Sequence, residues 1–358
     1  MRGRMLLFLS ACFYYSGLLS LVRESTQRSW RYLVILNYHR AGGDLRRHLL
    51  YLRRHFRILH LETALQELYT PREEGLQIGD RRTPLVLTFD DGYSDNYTHA
   101  FALAREFEVP LSIFLVPGFM EKGNSFWWLD HLILHAGVEK VTLEGHCYHL
   151  NQQEGRKALA QAIDADMDRA ASTAKREELL ASLRKLLAVP DSAVSEEEPT
   201  ALLRWAEVRE MEGSEWVSFG AHTMHHPVLG YLSDPAEVQR EVSECRTVLE
   251  QQLGHPVRVF AYPYGKPHQI GDFGPRAVRR AGYDWAVTTV SGYNTSSTNP
   301  YLLKRVFSDV NQHWLVIAAK TSGIWIIAAR MSSIRHFFTG AYRGACNFFF
   351  FKAWFKRM

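Results

Sequence analysis

Seven short apolar runs recur along this chain, each separated from the next by a stretch long enough to hold a helix. They are Leu33–Tyr38, Leu85–Phe89, Leu111–Val116, Trp216–Ala221, Arg258–Tyr262, Trp285–Val290 and Leu302–Phe307. None alternates strictly between apolar and polar residues, as a strand with one wet face would. Their continuity is the pattern of strands buried on both faces. Helices are predicted at Leu61–Tyr69, Thr98–Phe107, Pro235–Leu253 and Pro275–Ala281. Strands alternating with helices imply an α/β fold on a parallel sheet, open or closed into a barrel. With 358 residues, 46% of them hydrophobic and 22% charged, the chain can fill such a core. That composition excludes a disordered tail, a collagen-like repeat and a disulfide scaffold.

The residues just after these runs point to a site. Leu33–Tyr38 leads into His39 and Arg40, and Leu85–Phe89 into Asp90, Asp91, Gly92 and Tyr93. Trp216–Ala221 leads into His222-Thr223-Met224-His225-His226-Pro227, and Arg258–Tyr262 into Pro263-Tyr264-Gly265. Ionisable residues collected at the carboxyl ends of parallel strands predict one convergent site. Adjacent carboxylates at a strand end point to opposite sides, so Asp90 and Asp91 can take different roles. Two histidines plus one carboxylate, with a position left for water, is the donor set of a catalytic zinc. His222 and His226 are four apart, and His225 is a rival for either. His146 and His149 fall on opposite faces of a predicted hairpin and are set aside as ligands.

Residues 137–213 break the rhythm. Val141–Leu150 reads as a hairpin, Gln152–Ala188 as helical and Pro190–Pro199 as a loop. The segment is expected to be an insertion that covers or frames the site.

The motifs Thr88-Phe89-Asp90-Asp91-Gly92-Tyr93, His222-Thr223-Met224-His225-His226-Pro227 and Phe260-Ala261-Tyr262-Pro263-Tyr264-Gly265 resemble, in order and spacing, the first three motifs of the polysaccharide deacetylases (NodB-type, carbohydrate esterase family four). Ala281-Gly282-Tyr283-Asp284-Trp285-Ala286-Val287 is a looser fourth. The resemblance covers residues 31–310 and implies a distorted (β/α)7-type barrel. It implies that Asp91, His222 and His226 hold a divalent metal, zinc foremost, and that Asp90 is the general base. It also implies that the backbone N–H of Tyr264 faces the oxyanion. Two departures stand out. Ala261 occupies the place of the arginine that holds the base, and the C-terminal motif with a catalytic histidine is missing. Leu36-Asn37-Tyr38-His39-Arg40 is similar to the opening motif of circularly permuted members, such as the poly-N-acetylglucosamine deacetylase-like branch, which makes His39 the expected general acid and Asp284 a candidate to orient it. Tyr93, Tyr262 and Trp128, with Asp284, are expected to face a sugar. The activity implied is removal of N-acetyl groups from amino sugars of a bacterial polysaccharide or its lipid-linked precursor. A catalytically impaired sugar-binding protein is the rival reading that Ala261 suggests, and removal of another acyl group, such as formyl, is a third.

The net charge of +4 conceals a segregation. Residues 1–57 hold eleven arginines against Glu24 and Asp44, and after Asp309 seven basic residues stand against no acid. Residues 58–309 therefore carry 24 basic against 36 acidic side chains. Ends so charged are expected to meet a polyanion or a membrane. Residues 1–30 read first as a membrane-surface helix, next as an uncleaved anchor and last as a cleaved signal, since no small-x-small site follows the apolar run. Residues 311–358 form a cationic, aromatic tail. Within it Trp314–Met331 fits a membrane contact and a helix packed on the barrel equally well. No nucleic-acid motif accompanies the charge. The expected location is a bacterial inner membrane. Four scattered cysteines lean towards its cytoplasmic face, while most relatives with this chemistry act outside.

Overall fold

The computed structural model describes residues 2–29, 32–70, 80, 82–121, 129–189 and 201–324. Ten strands are described: β1 (Val34–Tyr38), β2 (Arg57–Ile58), β3 (Pro84–Phe89), β4 (Leu111–Leu115), β5 (Lys140–Leu143), β6 (His146–His149), β7 (Val217–Ala221), β8 (Val259–Ala261), β9 (Trp285–Ser291) and β10 (Leu303–Phe307). The seven predicted runs are β1, β3, β4, β7, β8, β9 and β10. All pair in parallel in the order β1-β10-β9-β8-β7-β4-β3, and β3 returns to β1 over Val34–Tyr38 and Leu85–Phe89 to close the barrel. Sequence reading gives no hint of β2, whose two residues extend the sheet from the start of β3.

Helix boundaries follow from local chemistry. The Pro235–Leu253 helix opens with Asp234, whose side chain accepts from Ala236 N, and with proline in its first turn. It closes on Gly254 at φ 78. Asp-Pro at the start and glycine at the end make both limits legible. Thr98–Phe107 divides into a π turn, Asn96–Phe101, and a short helix, Ala102–Phe107.

The predicted hairpin is β5–β6, with Leu143 opposite His146. The helical stretch behind it becomes two helices, Gln153–Asp168 and Thr173–Leu186. The predicted loop at 190–199 lies outside the described residues, as do Trp128 and positions 325–358.

The amino-terminal stretch is two helices, Arg2–Tyr15 and Leu18–Ser29, divided at Gly17 with φ 78. They bury Ser10, Leu19, Val22 and Thr26 against the protein and leave Met5, Phe8, Leu9, Tyr15, Leu18 and Leu21 exposed. Trp314–Thr321 is a packing helix. Leu315, Val316, Ile317, Ala318 and Ala319 are buried, and Trp314 meets Tyr14 edge-on at 5.0 Å. Of the two readings of that stretch, packing holds for these residues.

A candidate metal centre at the carboxyl ends of the strands

Asp90 follows β3 directly, is 1% exposed, and would be costly to bury as an unpaired anion. It is not unpaired. Arg305 on β10, with no exposed surface, reaches across the barrel interior. Its Nη1 donates to Asp90 Oδ1 and its Nη2 to Oδ2, each at 2.7 Å. Arg305 is itself fixed by donating to Thr88 Oγ1 (3.1 Å) and Thr288 O (2.8 Å). Asn37 Nδ2 on β1 adds a third donor to Asp90 Oδ2 at 3.0 Å. Burial raises the pKa of Asp90, but the Arg305 charge and its hydrogen bonds outweigh burial and hold the carboxyl well below the usual range. The side chain therefore stands as a carboxylate aligned by three donors. This is the support whose origin Ala261 left open: the cation stands on β10 instead of β8.

Asp91 turns the other way, at φ 75, followed by Gly92 at φ 68. Its Oδ1 is buried without a hydrogen-bond partner and lies 3.5 Å from both His222 Nε2 and His226 Nε2. Bonds of about 2.0–2.1 Å from a tetrahedral ion would set such ligand atoms roughly 3.4 Å apart. A buried acceptor without a donor, two imidazole nitrogens beside it and this spacing fit a divalent cation. His222 Nδ1 is bound to Ala261 O at 2.7 Å, which aims its Nε2 at Asp91. Burial pushes the pKa of His226 down to about 3, leaving a neutral imidazole. Burial also opposes charge on His222, but Asp91 and Asp90 outweigh it and pull its pKa up. The pair of carboxylates thus demands a positive charge in this place, which a metal ion supplies as well as a proton. Among the described residues, Asp91, His222 and His226 are the one group of His, Cys, Asp and Glu side chains compact enough to share an ion. The rival, His225, turns to Glu241, which accepts from its backbone N at 2.8 Å and contacts its Nδ1 at 2.7 Å.

His39 follows β1, half-buried, and lies within electrostatic reach of both Asp90 and Asp91. Tyr264 stands beside His226, with ring centres 5.2 Å apart, in the left-handed region at φ 59. Thr223 and His226 are left-handed too, at φ 63 and 55. Four of the seven described non-glycine residues with positive φ therefore lie at this site, where strain of about 1–3 kcal/mol apiece is held by the surrounding structure. Between the metal loop and the inserted helices lies a shallow depression lined by Asp168, Ser172, Thr173, Arg176, Pro227 and Tyr264 among others.

Three expectations are corrected. Asp284 precedes β9, at the opposite end of the barrel from His39. It accepts from Arg258 Nε at 2.5 Å and is 42% exposed. Tyr262 is buried against Phe260, and its hydroxyl donates to Tyr301 O, so its ring has no face for a sugar. Tyr93 is buried as well: it bridges to Leu202, and the Arg40 guanidinium covers its ring at 4.3 Å. Sequence reasoning misses Arg305, Asn37 and Arg176. A polar residue within an apolar strand run is the signal for the first two, and Arg176 has none.

Comparisons with known proteins supply a family and a fold. The family described as "Polysaccharide deacetylase" matches residues 78–285. A protein of Bacillus subtilis (strain 168), "Putative polysaccharide deacetylase YxkH", is 22% identical over 280 residues, 76% of this chain and 70% of that protein. The structure is similar to that of the Streptococcus pyogenes deacetylase PplD in complex with acetate (TM-score 0.52, 16% identity), covering 81% of this chain and 97% of that one. It is similar also to IcaB from Ammonifex degensii (TM-score 0.52, 18% identity), covering 82% and 98%.

Proposed function

The chain belongs to the polysaccharide deacetylase family, and from that premise we propose that it removes N-acetyl groups from amino sugars of a bacterial polysaccharide, or its lipid-linked precursor, at a membrane surface. The observation that carries the chemistry is the pairing of two differently treated carboxylates: Asp90 fixed by Arg305, and Asp91 left open beside two imidazoles. Asp91, His222 and His226 would hold a divalent ion, for which zinc is our first choice. When bound, it polarises the acetamide carbonyl and lowers the pKa of a water.

The remaining steps belong to the chain. Asp90 takes a proton from the attacking water, and Arg305 and Asn37 keep its lone pairs aimed. The Tyr264 backbone N–H faces the oxygen that gains charge. His39 returns a proton to the departing nitrogen, which leaves as the amine of the sugar while the acyl group leaves as acetate. The impaired-binder reading loses its motive, because the arginine absent at Ala261 has a counterpart in Arg305.

Purified protein incubated with Zn2+ and N-acetylglucosamine oligomers should release free amine and acetate. Asp90→Asn should lower the rate about 10²–10⁴-fold. Equal amine release by Asp90→Asn and wild type would sink the mechanism, and formate in place of acetate would change the acyl group.

The membrane part rests on the exposed Met5, Phe8, Leu9, Tyr15, Leu18 and Leu21, with Arg2 and Arg4 nearby. No single helix among the described residues is long and apolar enough to cross a membrane. The pair Gly3–Tyr15 and Leu18–Thr26, bent by 74°, passes by length and composition together. A surface-lying pair suits that bend.

A further inference from the structure

The loop after β7 carries both histidines of the metal group, and its backbone is held in a costly shape, with Thr223 and His226 left-handed. Three elements keep it there. From within the loop, Thr223 Oγ1 accepts from His226 N at 2.9 Å. From the Pro235–Leu253 helix, Glu241 accepts from His225 N, and its backbone carbonyl accepts from Met224 N at 3.0 Å. The carbonyl side is gripped from elsewhere. Arg176, on the inserted helix Thr173–Leu186, donates from Nη1 to His226 O at 2.9 Å and from Nη2 to His225 O.

Arg176 is 3% exposed, and burying a guanidinium there is worthwhile only where its donors meet strong acceptors. The turn before its helix is tied down as well. Glu237 Oε1 accepts from Thr173 N (2.8 Å) and Thr173 Oγ1 (2.6 Å), and Ala171 O accepts from Ser233 N (2.9 Å). The insertion is thus fastened along the metal loop at several points, one of which is the backbone of a ligand residue.

We propose that Arg176 is a positioning residue for the metal: it clamps the carbonyls of His225 and His226 so that the His226 imidazole stays on Asp91, which makes the insertion part of the metal centre. Without the clamp, two carbonyls lose their donor, and His226 can relax from φ 55 towards an ordinary backbone angle, carrying its imidazole off the shared position. Groups that orient a ligand in this indirect way are worth about 10–100-fold in metal affinity. The inference rests on the reading of Asp91, His222 and His226 as the metal group.

The test is zinc affinity of the full chain, measured by competition with a chromophoric chelator, with Co2+ absorption as a second readout. Arg176→Met should weaken zinc binding about 10–100-fold and shift the Co2+ bands. At saturating zinc its kcat should recover to within a few-fold of wild type. Arg176→Lys should recover part of the affinity. Thr173→Ala, which loosens the insertion without touching the loop, should lower thermal stability and leave zinc affinity unchanged. Wild-type affinity in Arg176→Met overturns the proposal. If that variant does not fold, Arg176→Lys decides, and unchanged affinity there overturns it too. A wild-type chain that takes up no divalent ion overturns the metal reading itself and this inference with it.

Discussion

Arg305 fixes the chemistry available to Asp90, and the energetics of the pair are asymmetric. Removing one partner of a buried ion pair leaves the other charge uncompensated, at about 3–5 kcal/mol. Arg305→Met should therefore lower unfolding free energy by about that amount in denaturant titration, and reduce amine release as strongly as Asp90→Asn. Arg305→Lys keeps the charge but loses the two-pronged geometry. It should retain most of the stability and lose about tenfold or more in kcat. These residues also show where sequence reading stops. An arginine in the apolar run Leu302–Phe307 is visible, but that it faces Asp90 follows from β10 lying next to β1, a fact of closure with no local signature. Asp284 misleads for a simpler reason: its motif suggests a place in the site, whereas it stands before its strand and so at the wrong end. Tyr93 and Tyr262 have rings of a kind that stack on sugars, but the core takes both.

At the scale of elements, most barrel strands are legible because burial on both faces leaves a nearly continuous apolar run; β10, with Lys304 and Arg305, is the exception. The long helix is legible because its caps are Asp-Pro and Gly. The metal loop is legible in its residues but not in its supports, two of which come from separate helices, Thr173–Leu186 and Pro235–Leu253. One further support is steric. Gly118, just after β4, has no Cβ, and one there would lie 2.4 Å from Met224 O and 2.8 Å from the His225 ring. Gly118→Ala should cost about 1–3 kcal/mol and weaken metal uptake, because the loop must move to admit the methyl group. Gly213→Ala is the matched control. Its nearest neighbours would be at 3.5 Å and its φ is −67 at the end of a helix, so calorimetry should show no loss.

For the whole molecule, segregated charge has two measurable consequences. If the helix pair at the amino end lies on lipid, the protein should co-sediment with anionic vesicles, less with neutral ones, and less again as salt rises. Phe8→Ser with Leu21→Ser should weaken binding by about tenfold or more, with the same salt dependence. The arginine-rich end also acts on its own histidine. Burial, with Arg23, Arg54 and Arg82 nearby, pushes the His55 pKa down to about 4. The folded state thus keeps His55 neutral while the unfolded chain protonates it near 6.5, so its contribution to stability is full above 6.5 and is lost as pH falls towards 4. His55→Gln should flatten that part of the stability profile, and added salt, which screens the arginines but not the burial, should flatten it only in part in the wild type.

The neighbouring of β1 and β10 has a consequence for how the molecule comes into being. Asp90 and Arg305 are 215 positions apart and meet across β1, whose pairing with β10 joins the first barrel strand to the last. Contacts of that span form late, after the entropy of closing the intervening chain has been overcome. During synthesis, Asp91, His222 and His226 leave the ribosome well before Arg305. The Asp90 carboxylate thus stays without its guanidinium partner until the ring of strands is sealed.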